Sequence, residues 1–256
     1  MSIQLQRPIP RQIIFCIDVS DEMKEMLFPS IDGGINQALS QPRSRLDTTI
    51  YQIKRYIAMN RRIAPNDTYG IIGMTEKAYW MMGFTSEPIV IHKYVESLSL
   101  GERCSIFDTT SLYKVIHEKA ALKDENLFVH AVIFYGRTNV VPQPLDKQLN
   151  WLRNHTNFTF DLLFLHDPPH DNDCQTVYDF WIDLEPSLSS WFFEFGKLGQ
   201  SQLTKAMSQL LAHPLQRGDQ EHITDIIIAP ERGRQKQKGQ HNNLSNQISE
   251  PIYLSD

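Results

Sequence analysis

The chain of 256 residues contains only three cysteines, Cys16, Cys104 and Cys174, and they lie far apart. Their spacing fits no zinc-binding pattern, and an odd number argues against the disulfide framework of a small secreted domain. Cys16 lies within an apolar stretch, so we expect it in the core. With 41% hydrophobic residues, a chain of this length can bury a large core without disulfides or structural metals.

Long apolar runs and an excess of positive charge are also missing. No stretch approaches the roughly 20 apolar residues that span a bilayer, and the first residues, MSIQLQRPIPRQ, lack the apolar segment of a signal peptide. The net charge is −5 and the isoelectric point is about 6.0. Nothing therefore favours bulk binding to nucleic acid or to acidic membranes. These absences predict a soluble intracellular protein with no membrane or direct nucleic-acid contacts.

Motifs of catalysis are absent as well. The sequence contains no Gly-x-Ser-x-Gly, no His-Glu-x-x-His and no phosphate-binding loop, so we predict no catalytic residues. The nine histidines are scattered, and the densest polar cluster is His166-Asp167 followed by HDND at residues 170–173. Such a cluster can bind zinc or act in acid–base catalysis, but its spacing matches no known ligand set. A hydrolase built on His166 and His170 is the alternative that it leaves open.

Apolar strands alternate with amphipathic helices along the chain. This order favours an α/β fold with a doubly wound, mostly parallel sheet. We expect the domain at residues 12–212, after a short lead at residues 1–11. Residues 213–256 are expected to form a docking segment and a disordered tail, because the tail is too polar to fold alone. The predicted strands are residues 12–18, 67–75, 77–82, 126–135, 158–166 and 190–195, and the predicted helices are residues 47–63, 88–98, 108–122, 145–155, 174–185 and 201–212.

Two glycines, Gly70 and Gly73, lie within the strand predicted at residues 67–75. Glycine weakens a strand because it has no side chain to pack and more conformational freedom to lose. Their presence therefore predicts that a neighbouring element packs closely against this strand.

The first predicted strand ends in Asp18, and a tight turn with Ser20 and Glu22 follows. In an open α/β sheet, ligands bind just beyond the carboxyl ends of the strands. An Asp-x-Ser-x-Ser turn in this place is the first half of the metal-ion-dependent adhesion site of von Willebrand A domains, and here Glu22 replaces the second serine. Glu22 could reach a metal, or it could fill the place of one with hydrogen bonds.

The second half of such a metal site is less complete. The loop at residues 103–111 offers Ser105, Thr109 or Thr110 without a clear alignment. After the fourth strand, where the site takes an aspartate, the chain has Arg137 instead, and a cation there opposes metal binding. Two hypotheses follow. The turn is either a degenerate, structural one without metal, or part of an adhesion domain that binds a partner carboxylate through Mg²⁺.

A second candidate site lies at residues 210–217, LLAHPLQR. A helix ends before Pro214, because proline pushes the preceding residue out of helical geometry. We expect an extended segment in which Pro214, Leu215 and Gln216 precede the cation of Arg217, as in short docking motifs. A helix stop with a solvated arginine is the alternative. The tail also carries a basic patch, which fits a nuclear-targeting signal or a solvated linker: Arg232, Arg234, Lys236 and Lys238.

Three segments together resemble one family: IIFCIDVSDEM at residues 13–23, GFTSEP at residues 83–88 and LLAHPLQR at residues 210–217. They are similar to the von Willebrand A-like scaffold subunit (member 1) that is shared by the BRISC deubiquitinase complex and its sister complex in the DNA-damage response. The resemblance covers roughly residues 11–222, and outside these segments it lies mainly in the order of the strands. Phe84 in the second segment is a further candidate for function.

The resemblance implies a non-catalytic scaffold without a cofactor. That family joins a complex containing a zinc metallo-deubiquitinase that cleaves lysine-63-linked ubiquitin chains, a catalytically dead partner of the same fold, and a subunit (BRE-like) built from ubiquitin-conjugating-enzyme-variant (UEV) domains. Its Pro-x-x-Arg segment docks on a UEV domain, which maps onto Pro214 and Arg217. The resemblance also implies a degenerate metal site at Asp18, Ser20 and Glu22, a location in cytoplasm and nucleus, and roles in DNA repair, mitosis and immune signalling.

Overall fold

The computed structural model describes residues 9–28, 41–167, 174–186, 190–218 and 220. The chain divides into two compact units, Met1–Gln216 and Arg217–Asp256, and every helix and strand named below lies in the first unit. Most of the predicted tail, with its basic patch, lies outside the described residues. Within the described part of the chain, no helix is long and apolar enough to cross a membrane.

The described residues form eight β-strands and five α-helices, with short 3-10 helices between some of them. The strands are β1 (Arg11–Asp18), β2 (Met26–Leu27), β3 (Arg43–Ser44), β4 (Thr68–Met74), β5 (Ala78–Thr85), β6 (Phe128–Tyr135), β7 (Phe158–Leu165) and β8 (Phe192–Phe195). The α-helices are α1 (Arg45–Ile63), α2 (Pro88–Glu96), α3 (Thr109–Lys119), α4 (Cys174–Asp183) and α5 (Gln200–Gln209). The 3-10 helices are Asp21–Lys24, Lys147–Asn154 and Pro214–Gln216.

A six-stranded sheet in the order β5-β4-β1-β6-β7-β8 forms the centre of the domain. β1 pairs in parallel with β4 and β6, and β7 pairs in parallel with β6 and β8. Only β5 runs antiparallel within this sheet, paired with β4. α1 packs against α2 and α5, whereas α3 and α4 contribute to the large core cluster formed with the strands. The predicted α/β fold with a mostly parallel sheet is confirmed.

The central strands are buried along their whole length. All eight residues of β6 and all eight of β7 are buried, as their continuous apolar sequences predict. His130 of β6 and Asp161 of β7 pair with each other, with His130 Nε2 2.6 Å from Asp161 Oδ2. Asp161 Oδ1 also accepts a hydrogen bond from the Trp191 N–H at 2.8 Å. Pairing of this kind offsets the cost of removing polar groups from water.

The two glycines of β4 lie beneath aromatic side chains of β5, so the predicted close packing of a neighbouring element is confirmed. A Cβ at Gly70 would lie 2.8 Å from Trp80 Cη2 and 3.1 Å from Phe84 Cε1. On Gly73, a Cβ would lie 2.8 Å from Tyr79 Cζ. Large rings of the antiparallel edge strand therefore take the space that side chains of β4 would need, and Phe84 packs 5.2 Å from Trp80 within this arrangement.

Several predicted helices end two or three residues earlier in the structure, and two others differ in ways that involve their capping residues. α1 begins at Arg45, two residues before the predicted start, because Ser44 caps it by accepting a hydrogen bond from the Asp47 N–H. The helix predicted at residues 145–155 is a 3-10 helix at Lys147–Asn154, capped by Asp146, which accepts from the Gln148 N–H.

Candidate functional site

Asp18 ends β1 at the carboxyl edge of the parallel strands, and its side chain is fully buried. Its Oδ1 accepts a hydrogen bond from the Ser20 N–H at 3.0 Å, and its Oδ2 accepts one from the Gly136 N–H at 3.0 Å. A Cβ at position 136 would clash with Met23 Sδ, so a larger residue there would have to displace this buried side chain. Asp18 therefore joins the turn after β1 to the loop after β6.

Arg137 supplies the charge that balances Asp18. Its Nε lies 3.2 Å from both carboxylate oxygens, and its Nη2 lies 3.1 Å from Oδ1. The same guanidinium donates to the carbonyls of Met74 at 3.1 Å, Thr75 at 2.5 Å and Ile106 at 2.9 Å. Arg137 thus ties the β4–β5 connection and the loop of Ile106 to one buried carboxylate.

The surroundings of Arg137 keep it charged. Its guanidinium carbon lies 5.3 Å from the Phe107 ring centre and 5.6 Å from that of Tyr135, within cation–π range. Burial lowers the pKa of Arg137, but the charge and hydrogen bonds of Asp18, together with Tyr135 and Cys104, raise it by more, so the pKa stands above its ordinary value. A permanent cation therefore lies against the carboxylate that begins the metal site of related folds.

A second cluster surrounds Glu22. Its Oε2 accepts a hydrogen bond from the Thr138 N–H at 3.0 Å, and burial raises the pKa of its carboxyl group. Arg45 donates to the carbonyls of Gly136 at 2.9 Å and Glu22 at 3.3 Å, and to Asp167 Oδ1 at 2.8 Å. Burial lowers the pKa of Arg45 despite its acidic neighbours. Glu22 and Arg45 therefore bind the edge loops to one another through hydrogen bonds.

The hydroxyls that the sequence offers as metal ligands are not gathered into a complete set. Ser20 Oγ and Thr109 Oγ1 are buried and have no hydrogen-bond partner among the described residues. Thr110 Oγ1 accepts from the Asp146 N–H at 2.9 Å, and Ser105 is exposed. Within the described residues, no group of three or more His, Cys, Asp or Glu side chains could hold a metal ion.

The histidine cluster is only partly described, because His170 and its neighbours at residues 168–173 lie outside the described residues. His166 is 7% exposed. Its Nδ1 lies 2.6 Å from the Asp167 carbonyl oxygen, and its ring stacks on Phe164 at 5.0 Å. This histidine is therefore buried and engaged within the fold.

The docking segment does not have the extended geometry that the sequence predicts, because Pro214–Gln216 form a short 3-10 helix. The Gln216 N–H donates to the His213 carbonyl at 2.8 Å, and the Leu215 N–H donates to His213 Nδ1 at 3.2 Å. Pro214 itself is buried, whereas Leu215 is 50% exposed. The apolar side chain that this segment presents is therefore Leu215.

The prediction of an extended segment was wrong for a physical reason. Proline restricts the residue before it, but its own φ near −65° suits a 3-10 turn. Pro214 can therefore begin such a turn once His213 supplies the acceptors. Arg217, the last predicted docking residue, opens the second unit of the chain.

His213 is a residue whose role the sequence does not reveal. Its Nε2 lies 3.1 Å from the Ile9 carbonyl, and its ring lies 5.2 Å from that of Phe128. Burial, together with the charges of Arg11 and His130, lowers the pKa of His213 to about 4. The ring is therefore neutral at pH 7, with Nδ1 free of a proton so that it can accept from Leu215. The role of His213 becomes visible only from its contacts with Ile9 and Phe128, which are distant in sequence.

No protein-family model matches the chain. Among curated proteins, the chain is similar to BRISC and BRCA1-A complex member 1 of Mus musculus, with 24% identity over 243 residues, 88% of this chain and 71% of that protein. It is also similar to the Homo sapiens protein of the same name, with 24% identity over 246 residues, 90% of this chain and 72% of that protein.

Solved structures with a similar fold include von Willebrand A domains. The SpRpn10 VWA domain has a TM-score of 0.52 at 11% identity, over 83% of this chain and 99% of that chain. The conserved hypothetical protein BatB from Bacteroides thetaiotaomicron has a TM-score of 0.50 at 13% identity, over 78% of this chain and 98% of that chain. At such identities the likeness concerns the fold alone. Over about nine-tenths of its length the chain is therefore similar to the BRISC and BRCA1-A complex member 1 proteins, and it has a von Willebrand A fold.

Proposed function

We propose that the chain is a non-catalytic scaffold that assembles and stabilises a deubiquitinase complex cleaving lysine-63-linked ubiquitin chains. Its homologues are named as members of the BRISC and BRCA1-A complexes and align with about nine-tenths of it. The observation that carries the proposal is the buried pair of Asp18 and Arg137. Because the pair is internally neutral, this edge of the sheet has no need of a metal, and partners bind through protein surfaces.

Nucleophilic catalysis by the cysteines is disfavoured by their surroundings. All three are buried. Burial raises the pKa of Cys16 and of Cys104, so the reactive thiolate is a minor form of each at pH 7. The described residues thus provide a partner with a contact surface and hydrogen-bonding groups, as a scaffold does.

The proposed partners follow from the resemblance. A UEV-domain subunit docks on Pro214, Leu215, Gln216 and Arg217, and the zinc metallo-deubiquitinase and its inactive partner join the same complex. The 50% exposure of Leu215 supports this surface, since an exposed apolar side chain suits a short docking contact. We expect the complex in cytoplasm and nucleus, with roles in DNA repair, mitosis and immune signalling.

The competing hypothesis is an adhesion domain that binds a partner carboxylate through Mg²⁺. The buried Ser20 hydroxyl favours it, because that oxygen has no partner among the described residues. Arg137 opposes it more strongly, since a cation 3.1 Å from Asp18 repels a divalent ion at the same carboxylate.

Purification of the tagged full chain from native extract, with mass spectrometry of its partners, tests the proposal. We expect the UEV-domain subunit and the metallo-deubiquitinase to co-purify, and the eluate to cleave lysine-63-linked chains. The chain expressed alone should cleave none. Cleavage by the isolated chain, or an eluate without either partner, would contradict the proposal.

A further inference from the structure

A pocket of about 730 Å³ opens at the edge of the sheet opposite Asp18, where the parallel strands begin. Its lining residues include Ile9, Pro10, Ile63 and Leu211, so much of its wall is apolar. The volume falls within the range of sites that bury a ligand or a large side chain. We call this cavity the lower pocket.

The lower pocket has a preformed floor. Arg11 and Asp67 line it and are 1% and 3% exposed. The Arg11 backbone N–H and Nε each donate to the Asp67 carboxylate at 2.8 Å. Asn60 completes the network, accepting from Arg11 Nη2 at 2.7 Å and donating to Asp67 Oδ2 at 2.9 Å. A site held in this way needs little ordering when an occupant enters.

The rim of the lower pocket carries an unbalanced negative charge. Glu125 lines the pocket, is exposed, and forms no ion pair within the described part of the chain. Because Arg11 and Asp67 neutralise each other and His213 is neutral, the charge of Glu125 remains. The net charge of the lining is therefore negative, which favours a lysine or arginine over an anion.

The lower pocket is continuous with the docking turn. Gln216 ends the turn and lines the pocket, and His213 lines the pocket while accepting the Leu215 N–H. A partner that covers this turn therefore contacts Gln216, which also lines the pocket.

We propose that the lower pocket receives a polypeptide segment of the protein that docks on Pro214–Gln216. The segment inserts one apolar side chain and carries a lysine or arginine beside it, which pairs with Glu125. This inference rests on the proposed docking function, and it assigns to that function a second binding surface within the first unit of the chain.

Titration calorimetry of the full chain against the purified UEV-domain subunit tests the inference. The two pocket variants are Ile63→Asp, at a residue that is 63% exposed, and Glu125→Lys. Matched controls are Ile89→Asp, at a residue 69% exposed, and Glu118→Lys, at an exposed residue; neither residue lines the pocket. We expect the two pocket variants to weaken binding about tenfold or more, and the controls to bind like wild type.

Other outcomes separate this inference from the function on which it rests. If Leu215→Asp weakens binding while Ile63→Asp and Glu125→Lys do not, the pocket inference is wrong and the docking turn stands. If neither Leu215→Asp nor Arg217→Ala weakens binding, the docking function itself is wrong. Self-association of the chain in analytical ultracentrifugation that Ile63→Asp abolishes would assign the pocket to a second copy and overturn the inference.

Discussion

The guanidinium of Arg137 lies 3.1–3.2 Å from the carboxylate oxygens of Asp18, and both side chains are fully buried. The two residues are 119 positions apart in sequence, at the ends of neighbouring parallel strands. Asp18 also accepts two backbone N–H groups, so its oxygens are fully used. This edge of the fold therefore holds its loops together by an internal ion pair.

Removing the arginine should destabilise the fold strongly. We expect Arg137→Met to lower the free energy of unfolding by about 3–5 kcal/mol, because the Asp18 charge is then buried without its counter-ion. Urea denaturation followed by circular dichroism measures the loss. The control Arg62→Met, at an exposed position, should change stability by less than about 0.5 kcal/mol. Equal stability of both variants would show that the pair does not support the fold.

Calorimetric titration of the full chain with Mg²⁺ or Mn²⁺ should give no binding in the micromolar range. The reason is that Arg137 already neutralises Asp18 and repels a second cation. Micromolar binding that Asp18→Ala abolishes would replace the scaffold proposal by the adhesion hypothesis.

Filling the space above Gly70 should cost stability. Gly70→Ala places a Cβ 2.8 Å from Trp80 Cη2, and overpacking of this kind costs about 1–3 kcal/mol. The matched control is Gly83→Ala in the neighbouring strand, where a Cβ meets nothing within 4 Å. Thermal unfolding compares the two variants. A melting temperature of Gly70→Ala equal to that of the control would contradict the close approach of β4 and β5.

Acidification should destabilise the protein through His213. Its folded-state pKa of about 4 lies below the pKa near 6.5 of an unfolded histidine, so the unfolded chain takes up the proton first. The stability that this residue contributes is present above pH 6.5 and is lost as the pH falls towards 4. Urea titrations at several pH values should show a smaller loss for His213→Gln than for wild type. Identical pH profiles would contradict this role for His213.

Loss of the docking contacts should weaken the complex without unfolding the chain. Arg217→Ala should cost about 1.5–3 kcal/mol of binding to the UEV-domain subunit, the value of a charge-assisted hydrogen bond. Leu215→Ala should weaken the same contact, because Leu215 is the exposed apolar side chain of the turn. The control Lys205→Ala changes an exposed cation on α5. Unchanged recovery of the subunit by the Arg217→Ala and Leu215→Ala proteins would refute the assignment.

Much of the architecture follows from local patterns in the chain. Continuous apolar runs predict β1, β6 and β7 because a strand covered by helices on both faces has no polar side. The strand–helix alternation predicts the parallel sheet, and Asp18 and Arg137 are predicted at its carboxyl edge because every parallel strand ends there. The two glycines of β4 predict close packing, although not that aromatic rings of β5 provide it.

Contacts between distant residues are decided only when the chain folds. Arg45 contacts Asp167, which is 122 residues away in sequence, and His213 contacts Ile9, which is 204 residues away. No local sequence pattern therefore predicts either contact. The same holds for Pro214, whose sequence allows an extended segment or a turn; His213 selects the turn by accepting the Leu215 N–H. The lower pocket likewise exists because the beginnings of three strands and the end of α5 converge. Composition and periodicity determine the helices and strands, because these depend on residues adjacent in sequence. The sites depend on contacts between distant residues, so only tertiary packing determines them.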